Sequence, residues 1–153
     1  MSVTTKQSVF TRCPICKSVH PNCIVCSLSN TKGLQLKFEI ADDKTVKASF
    51  ECDETYEGYS GILHGGIISS ILDGAMGNCL FARGQTAVTV EMNTKFKLPV
   101  QIHKQATVTA WIEKICHPLY FLHAEIIQDG QTKAVAKAKF FDKPEMADKL
   151  GAY

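Results

Sequence analysis

The sequence predicts an α+β domain, an antiparallel β-sheet wrapped around one long central α-helix. Three observations predict it. One stretch alone carries a long helical period: Ile67, Ile68, Ile71, Leu72, Ala75, Met76, Cys79 and Leu80 recur at three- and four-residue steps. The remaining patterned stretches read as strands, bounded by turn residues. No strand–helix–strand alternation occurs, so the sheet is antiparallel, and a sheet that encloses most of the helix explains an apolar stripe this wide.

Along the chain, residues 1–12 read as a loose terminus, and 13–33 as a Cys, Pro, Ser and Asn-rich segment with little periodicity. Together, 1–33 form a Cys-rich N-terminal segment, 34–143 the domain proper and 144–153 a tail. Leu34, Leu36, Phe38 and Ile40 alternate with Gln35, Lys37, Glu39 and Ala41, a half-buried strand over 34–41. Asp42-Asp43 turns the chain, and 45–52 returns as the second half of a hairpin. Residues 53–64 are a loop. The helix occupies 65 to about 82, with Gly84 as its stop. Its many β-branched residues are weak helix formers, so burial must hold it. Strands follow at 86–98 (ended by Pro99), 104–116, 119–128 and 131–141, divided at His117-Pro118 and at the hairpin turn Asp129-Gly130.

A chain of 153 residues with 45% hydrophobic and 21% charged residues suits one folded domain. The net charge of +2 comes without a basic stripe, which sets nucleic-acid binding aside. No segment approaches the roughly 20 apolar residues of a membrane span, and residues 1–12 hold no apolar stretch of a signal peptide, so the expected location is cytoplasmic. Seven cysteines agree with a reducing compartment, because the number is odd and four crowd between 13 and 26. Cys52, Cys79 and Cys116 read as small core residues.

The most informative stretch is Gly58-Tyr59-Ser60-Gly61-Ile62-Leu63-His64-Gly65-Gly66. The first amides of a helix lack intrahelical acceptors, and the macrodipole makes that end positive. An oxygen that becomes negative during a reaction is stabilised there, and two glycines let it approach the backbone. On the motif alone, a tight turn with His64 as a cap serves equally well. Asp73 lies in an otherwise apolar helix, where a carboxylate is costly unless paired or exposed. It projects beside Gly66, Ser69, Ser70 and Gly77, a stripe of small residues that permits close approach by a ligand or another backbone.

These residues resemble the PaaI-type hotdog-fold acyl-CoA thioesterase family. The likeness rests on Leu63-His64-Gly65-Gly66, Asp73 nine residues past the His, Gly77, Thr89-Val90-Glu91-Met92-Asn93, and Phe96 with Pro99. Cys23-Ile24-Val25-Cys26, then Asn30, Gly33-Leu34, Leu36 and Phe38, extend it over about residues 23–141. The resemblance implies a hotdog fold and hydrolysis of an acyl-CoA thioester. It implies that Asp73 is general base or nucleophile, that Thr89 helps hold the attacking water, that the Gly65 and Gly66 amides polarise the thioester carbonyl, and that His64 fixes their loop. No cofactor is expected for catalysis. Two departures stand out. Gly58 occupies a position where many relatives carry Asn, and strict alternation from Met92, Thr94 and Phe96 turns Thr89 away from the core, so Thr89 reaches the site only if the strand is bulged.

Gly65 and Asp73 are eight residues apart, about 12 Å of helix axis. Both groups must lie within a few Å of one carbonyl carbon, so they have to come from different protomers. The expected assembly is a homodimer or dimer of dimers with the acyl-CoA at the interface.

Cys13-Pro14-Ile15-Cys16 and Cys23-Ile24-Val25-Cys26 form two C-x-x-C pairs with His20 between them. Four thiolates suffice for a closed structural zinc site at Cys13, Cys16, Cys23 and Cys26; equally, the second pair belongs to the family's N-terminal segment without a metal. Besides the thioesterase, two other readings stay open: a non-catalytic acyl-CoA-binding hotdog protein, and a zinc-bearing interaction module.

Overall fold

A computed structural model describes residues 19–148 of the chain. Six strands, β1 (Glu39–Ile40), β2 (Val46–Phe50), β3 (Ala87–Phe96), β4 (Ala106–Cys116), β5 (Leu119–Gln128) and β6 (Gln131–Asp142), form one sheet in the order β1-β2-β4-β5-β6-β3. Every neighbouring pair is antiparallel. The central helix runs Gly65–Phe81. A 3-10 turn, Glu54–Tyr56, precedes it, and a short helix, Glu145–Asp148, lies in the tail where the sequence suggested no element.

The helix is held by burial, as its weak intrinsic propensity requires. Ile71, Leu72, Ala75, Met76 and Cys79 are wholly buried. The sheet meets them with Val46, Val108, Leu122 and Ile126, interspersed with Ala48, Ala106, Ala110, Ala124, Ala134, Ala136 and Ala138. So many alanines on the inner face let the sheet curl closely round the helix, and the alternation along β5 and β6 puts them there. Asp129 and Gly130 both take positive φ, 55° and 71°, the geometry of a two-residue hairpin turn.

Three expectations change. The strand expected over 34–41 shrinks to Glu39–Ile40, because Gln35 sits at φ 52° and interrupts the extended run. The Leu34 and Leu36 amides instead donate to the carbonyls of Ile24 and Val25, tying this stretch to the Cys-rich segment. Val25 is itself part of the core cluster, so packing is continuous across residue 33. Cys52 and Cys79 are buried as expected, but Cys116, at the end of β4, is exposed. Phe96 is 56% exposed, because β3 is an edge strand whose inner face overhangs the helix start.

No helix among the described residues is long and apolar enough to cross a membrane.

Candidate functional site at the helix start and Asp73

The loop before the helix is a closed turn. The Gly58 amide donates to the Ile62 carbonyl, and Gly61, at φ 78°, donates to the Glu57 carboxylate. Leu63 N–H donates to Val100 O and His64 N–H to Tyr56 O, which anchors the turn from both sides. A side chain at Gly58 would press on His64, 3.3 Å from both its Cα and its ring, which accounts for glycine there.

His64 is the N-cap, and its Nδ1 accepts the Gly66 amide at 2.8 Å. Its carbonyl takes the Ile67 and Ile68 amides. Of the first amides, only that of Gly65 has no acceptor among the described residues. The pair of glycine donors expected from the sequence thus resolves into one open donor, Gly65, and one that is spent on the cap. Beside it lies a mostly apolar cleft of about 730 Å³ lined by Tyr59, Ile62, His64, Gly65, Phe96 and Leu98, among others. Asp73 does not line it.

Asp73 is half-buried two turns further along the helix. Thr89 Oγ1 donates to its Oδ1 at 2.6 Å. This contact exists because β3 is bulged: Thr89 opposes Phe140, Glu91 opposes Lys139, and Val90 between them has no partner on β6. Burial pushes the Asp73 carboxyl above its ordinary value, the Thr89 hydrogen bond draws it back, and the nearby Cys23 thiol raises it again. The stripe of small residues divides in its use. Ser70 bonds back to the Gly66 carbonyl, whereas a Cβ on Gly77 would meet nothing within 4 Å, so the helix flank next to Asp73 is open.

Of the four expected metal ligands, Cys13 and Cys16 lie outside the described residues. Cys23 and Cys26 come together, with His20 as a third donor, all within 4.8 Å of one another. The hydrogen bond from Cys26 above all, opposed by burial and helped by His20, brings the Cys23 thiol down to about 3. Burial pushes Cys52 and Cys79 the other way, to about 11, so these two are inert neutral thiols.

Sequence reasoning named Tyr59 and Phe96 within its motifs but gave neither a role at the site. Each is a large exposed side chain, which only the position of the cleft makes meaningful.

A single long helix enclosed by an antiparallel sheet, with one open amide at the helix start, defines a hotdog domain. A family model described as "Thioesterase superfamily" matches residues 60–135 of the chain. The acyl-coenzyme A thioesterase THEM4 of Bos taurus is 27% identical over 89 residues, covering 58% of this chain and 36% of that protein. Its Mus musculus counterpart is 28% identical over 87 residues, covering 55% and 37%. The chain therefore spans little more than a third of the length of these curated relatives. Among solved structures, the thioesterase superfamily protein RHA08564 superposes with a TM-score of 0.77 at 19% identity, over 91% of this chain and 70% of that one. A "hypothetical thioesterase protein" from Streptococcus pneumoniae, solved with coenzyme A, gives 0.67 at 16% identity, over 71% and 88%. A phenylacetic acid degradation-related protein from Ralstonia eutropha gives 0.68 at 19% identity, over 83% and 98%.

Proposed function

We propose that this chain hydrolyses an acyl-CoA thioester in a site shared by two copies of itself. The observation that carries this reading is the separation of two prepared groups. Asp73, held by Thr89 of β3, and the open Gly65 amide lie on one rigid helix, about 12 Å apart along its axis. A two-fold partner that sets its Asp73 against this chain's Gly65 brings them to one carbonyl. The unpaired outer edge of β3, the exposed Val90, Phe96 and Leu98, and the open flank at Gly77 support such a partner.

In this reading the Thr89 hydroxyl proton points at Asp73 Oδ1, which leaves the other carboxylate oxygen, Oδ2, and the Thr89 lone pairs for a water. Asp73 takes a proton as that water attacks the thioester carbon. The carbonyl oxygen gains the charge and is stabilised by the Gly65 amide and the positive helix end. Collapse of the intermediate breaks the carbon–sulfur bond, and protonation of the thiolate releases free CoA and a carboxylic acid. The raised basicity of Asp73 suits proton abstraction. The apolar cleft wall of Ile62, Phe96 and Leu98 favours an apolar acyl group. The thiols of Cys52, Cys79 and Cys116, none in a disulfide, fit a cytoplasmic location.

Purified protein assayed against a panel of acyl-CoAs tests the reading. Turnover well above background that disappears in Asp73→Asn is the expected result. Tight binding without hydrolysis of any member would replace the enzyme by an acyl-CoA-binding protein.

A further inference from the structure

We propose that His20, Cys23 and Cys26 are ligands of one structural zinc ion, which pins the turn from His20 to Cys26 to the flank of the central helix beside Asp73.

The geometry is that of a metal edge. His20 Nδ1 and Cys26 Sγ are 3.6 Å apart. Bonds of about 2.3 Å to sulfur and 2.05 Å to nitrogen at a tetrahedral angle put the two donors about 3.6 Å apart. All three donors lie within 4.8 Å of one another, as one shell requires. The backbone is folded for the purpose: the Val25 amide donates to Cys23 Sγ at 3.4 Å, and Ser27 N–H to Cys23 O at 3.1 Å. The turn thus points an amide at the first sulfur of a C-x-x-C pair, which supports thiolate charge. The imidazole is oriented by stacking on Phe81, with ring centroids 4.6 Å apart. Its Nε2 is buried without a partner among the described residues, so the sulfur cluster is the polar group the ring addresses. Burying an imidazole in this way is costly unless that contact is strong.

The same turn is docked on the helix at two points. Val25, between the two cysteines, fills the space over Gly74, where a Cβ would stand 2.6 Å from Val25 Cγ1. His20 covers Phe81, the last residue of that helix. Zinc is held by Cys23 and Cys26 as thiolates and by His20 through Nδ1. The segment then clamps the helix from Gly74 to Phe81, next to the carboxylate that the proposed reaction uses. A fourth donor completes the tetrahedron. A ligand set with His20 differs from the four-cysteine set expected from spacing alone, and the two are distinguishable.

The test uses the full chain, purified reduced and without chelator, with zinc quantified by atomic emission and then replaced by cobalt(II). The expected result is about one zinc per chain and a tetrahedral cobalt spectrum with thiolate charge-transfer bands of no more than three thiolates. His20→Ala should weaken cobalt binding by roughly 100-fold or more, since even losing an outer partner of a metal-bound His costs about 10- to 100-fold. His20→Cys should rescue binding and add the charge-transfer intensity of one more thiolate, which keeps the test decisive if the alanine variant misfolds. Removing the metal should lower Tm by roughly 5 °C or more. Absence of stoichiometric metal in protein that also takes up no cobalt would overturn the proposal. So would a four-thiolate spectrum in the wild type that His20→Ala leaves unchanged, or a Cys23–Cys26 disulfide in protein kept reduced.

Discussion

Thr89 reaches across from the bulged start of β3 and places its hydroxyl 2.6 Å from Asp73 Oδ1, so that the carboxylate on the central helix is held from the sheet. A short O–H···O⁻ bond of this kind fixes the rotamer of the acid and leaves its second oxygen available. Five expected outcomes follow from this pair and from the capped helix start.

Replacing Asp73 by Asn keeps shape and removes the base. Turnover of the best acyl-CoA should fall roughly 10²-fold or more, while circular dichroism stays that of the wild type. Unchanged turnover would take Asp73 out of the reaction.

The same variant has a stability signature. The folded carboxyl is raised above its ordinary value, mainly by burial. A group raised in this way lends stability only at low pH, and loses it as pH rises through the folded value. Asp73→Asn should therefore raise Tm at neutral pH, and the gain should vanish in acid. A Tm difference independent of pH would contradict the burial effect.

Thr89→Ala removes the bond that draws the Asp73 carboxyl down, and so should shift the acid limb of the rate profile to higher pH. The rate at the plateau should fall less than in Asp73→Asn, by roughly 10-fold, below the 10²–10⁴-fold of a positioned proton-transfer group, because Thr89 orients the water rather than taking its proton. A pH profile superposable on the wild type would show that the contact does not tune the base.

Gly65→Pro is the cleanest way to delete the open amide. Position 65 is the first helical residue, where proline is tolerated, and His64 at φ −61°, ψ 135° already has the conformation that precedes proline. A Cβ at 65 meets Phe96 only at 3.5 Å, an ordinary contact. The fold should persist while kcat/KM falls roughly 10²–10³-fold. By contrast, Gly66→Ala would put a Cβ 3.0 Å from His64 Nδ1, and Gly66→Pro would remove the amide that His64 accepts; each weakens the cap, by about 1 kcal/mol for its loss. If Gly65→Pro retains full activity, the helix start is only a turn.

Mixing the two inactive variants reads the assembly. If each site takes Gly65 from one chain and Asp73 from its partner, a heterodimer of Asp73→Asn and Gly65→Pro regains one intact site of two. Random re-association of equal amounts should then restore about a quarter of wild-type activity. No recovery from chains shown to exchange, or an active monomer in sedimentation, would remove the shared site.

The helix, the later strands and the Asp129-Gly130 hairpin were legible in the chain, because side-chain periods of 3.6 and 2 and the left-handed needs of a tight turn are local properties. The chain also nominated His64, Gly65, Gly66 and Asp73, the first as a histidine at the helix start and the others as small or charged residues in an apolar helix. What the linear pattern left open depended on partners distant in sequence. Alternation alone turned Thr89 away, and only the register shift against β6 brings it to Asp73. The two glycine amides look equivalent in sequence, and the His64 side chain distinguishes them by accepting one. Leu34 to Ile40 alternates like a strand, yet Gln35 in the left-handed region and the bonds to Ile24 and Val25 draw part of it away from the sheet. Cys23 and Cys26 are paired by their spacing, but His20 joins them where Phe81 and Gly74 give the turn a surface to rest on. Local chemistry thus determined the elements and nominated the polar residues. Packing between elements decided which of those residues meet, since a hydrogen bond or a shared metal shell requires a separation of a few Å that no sequence spacing across a sheet and a helix specifies.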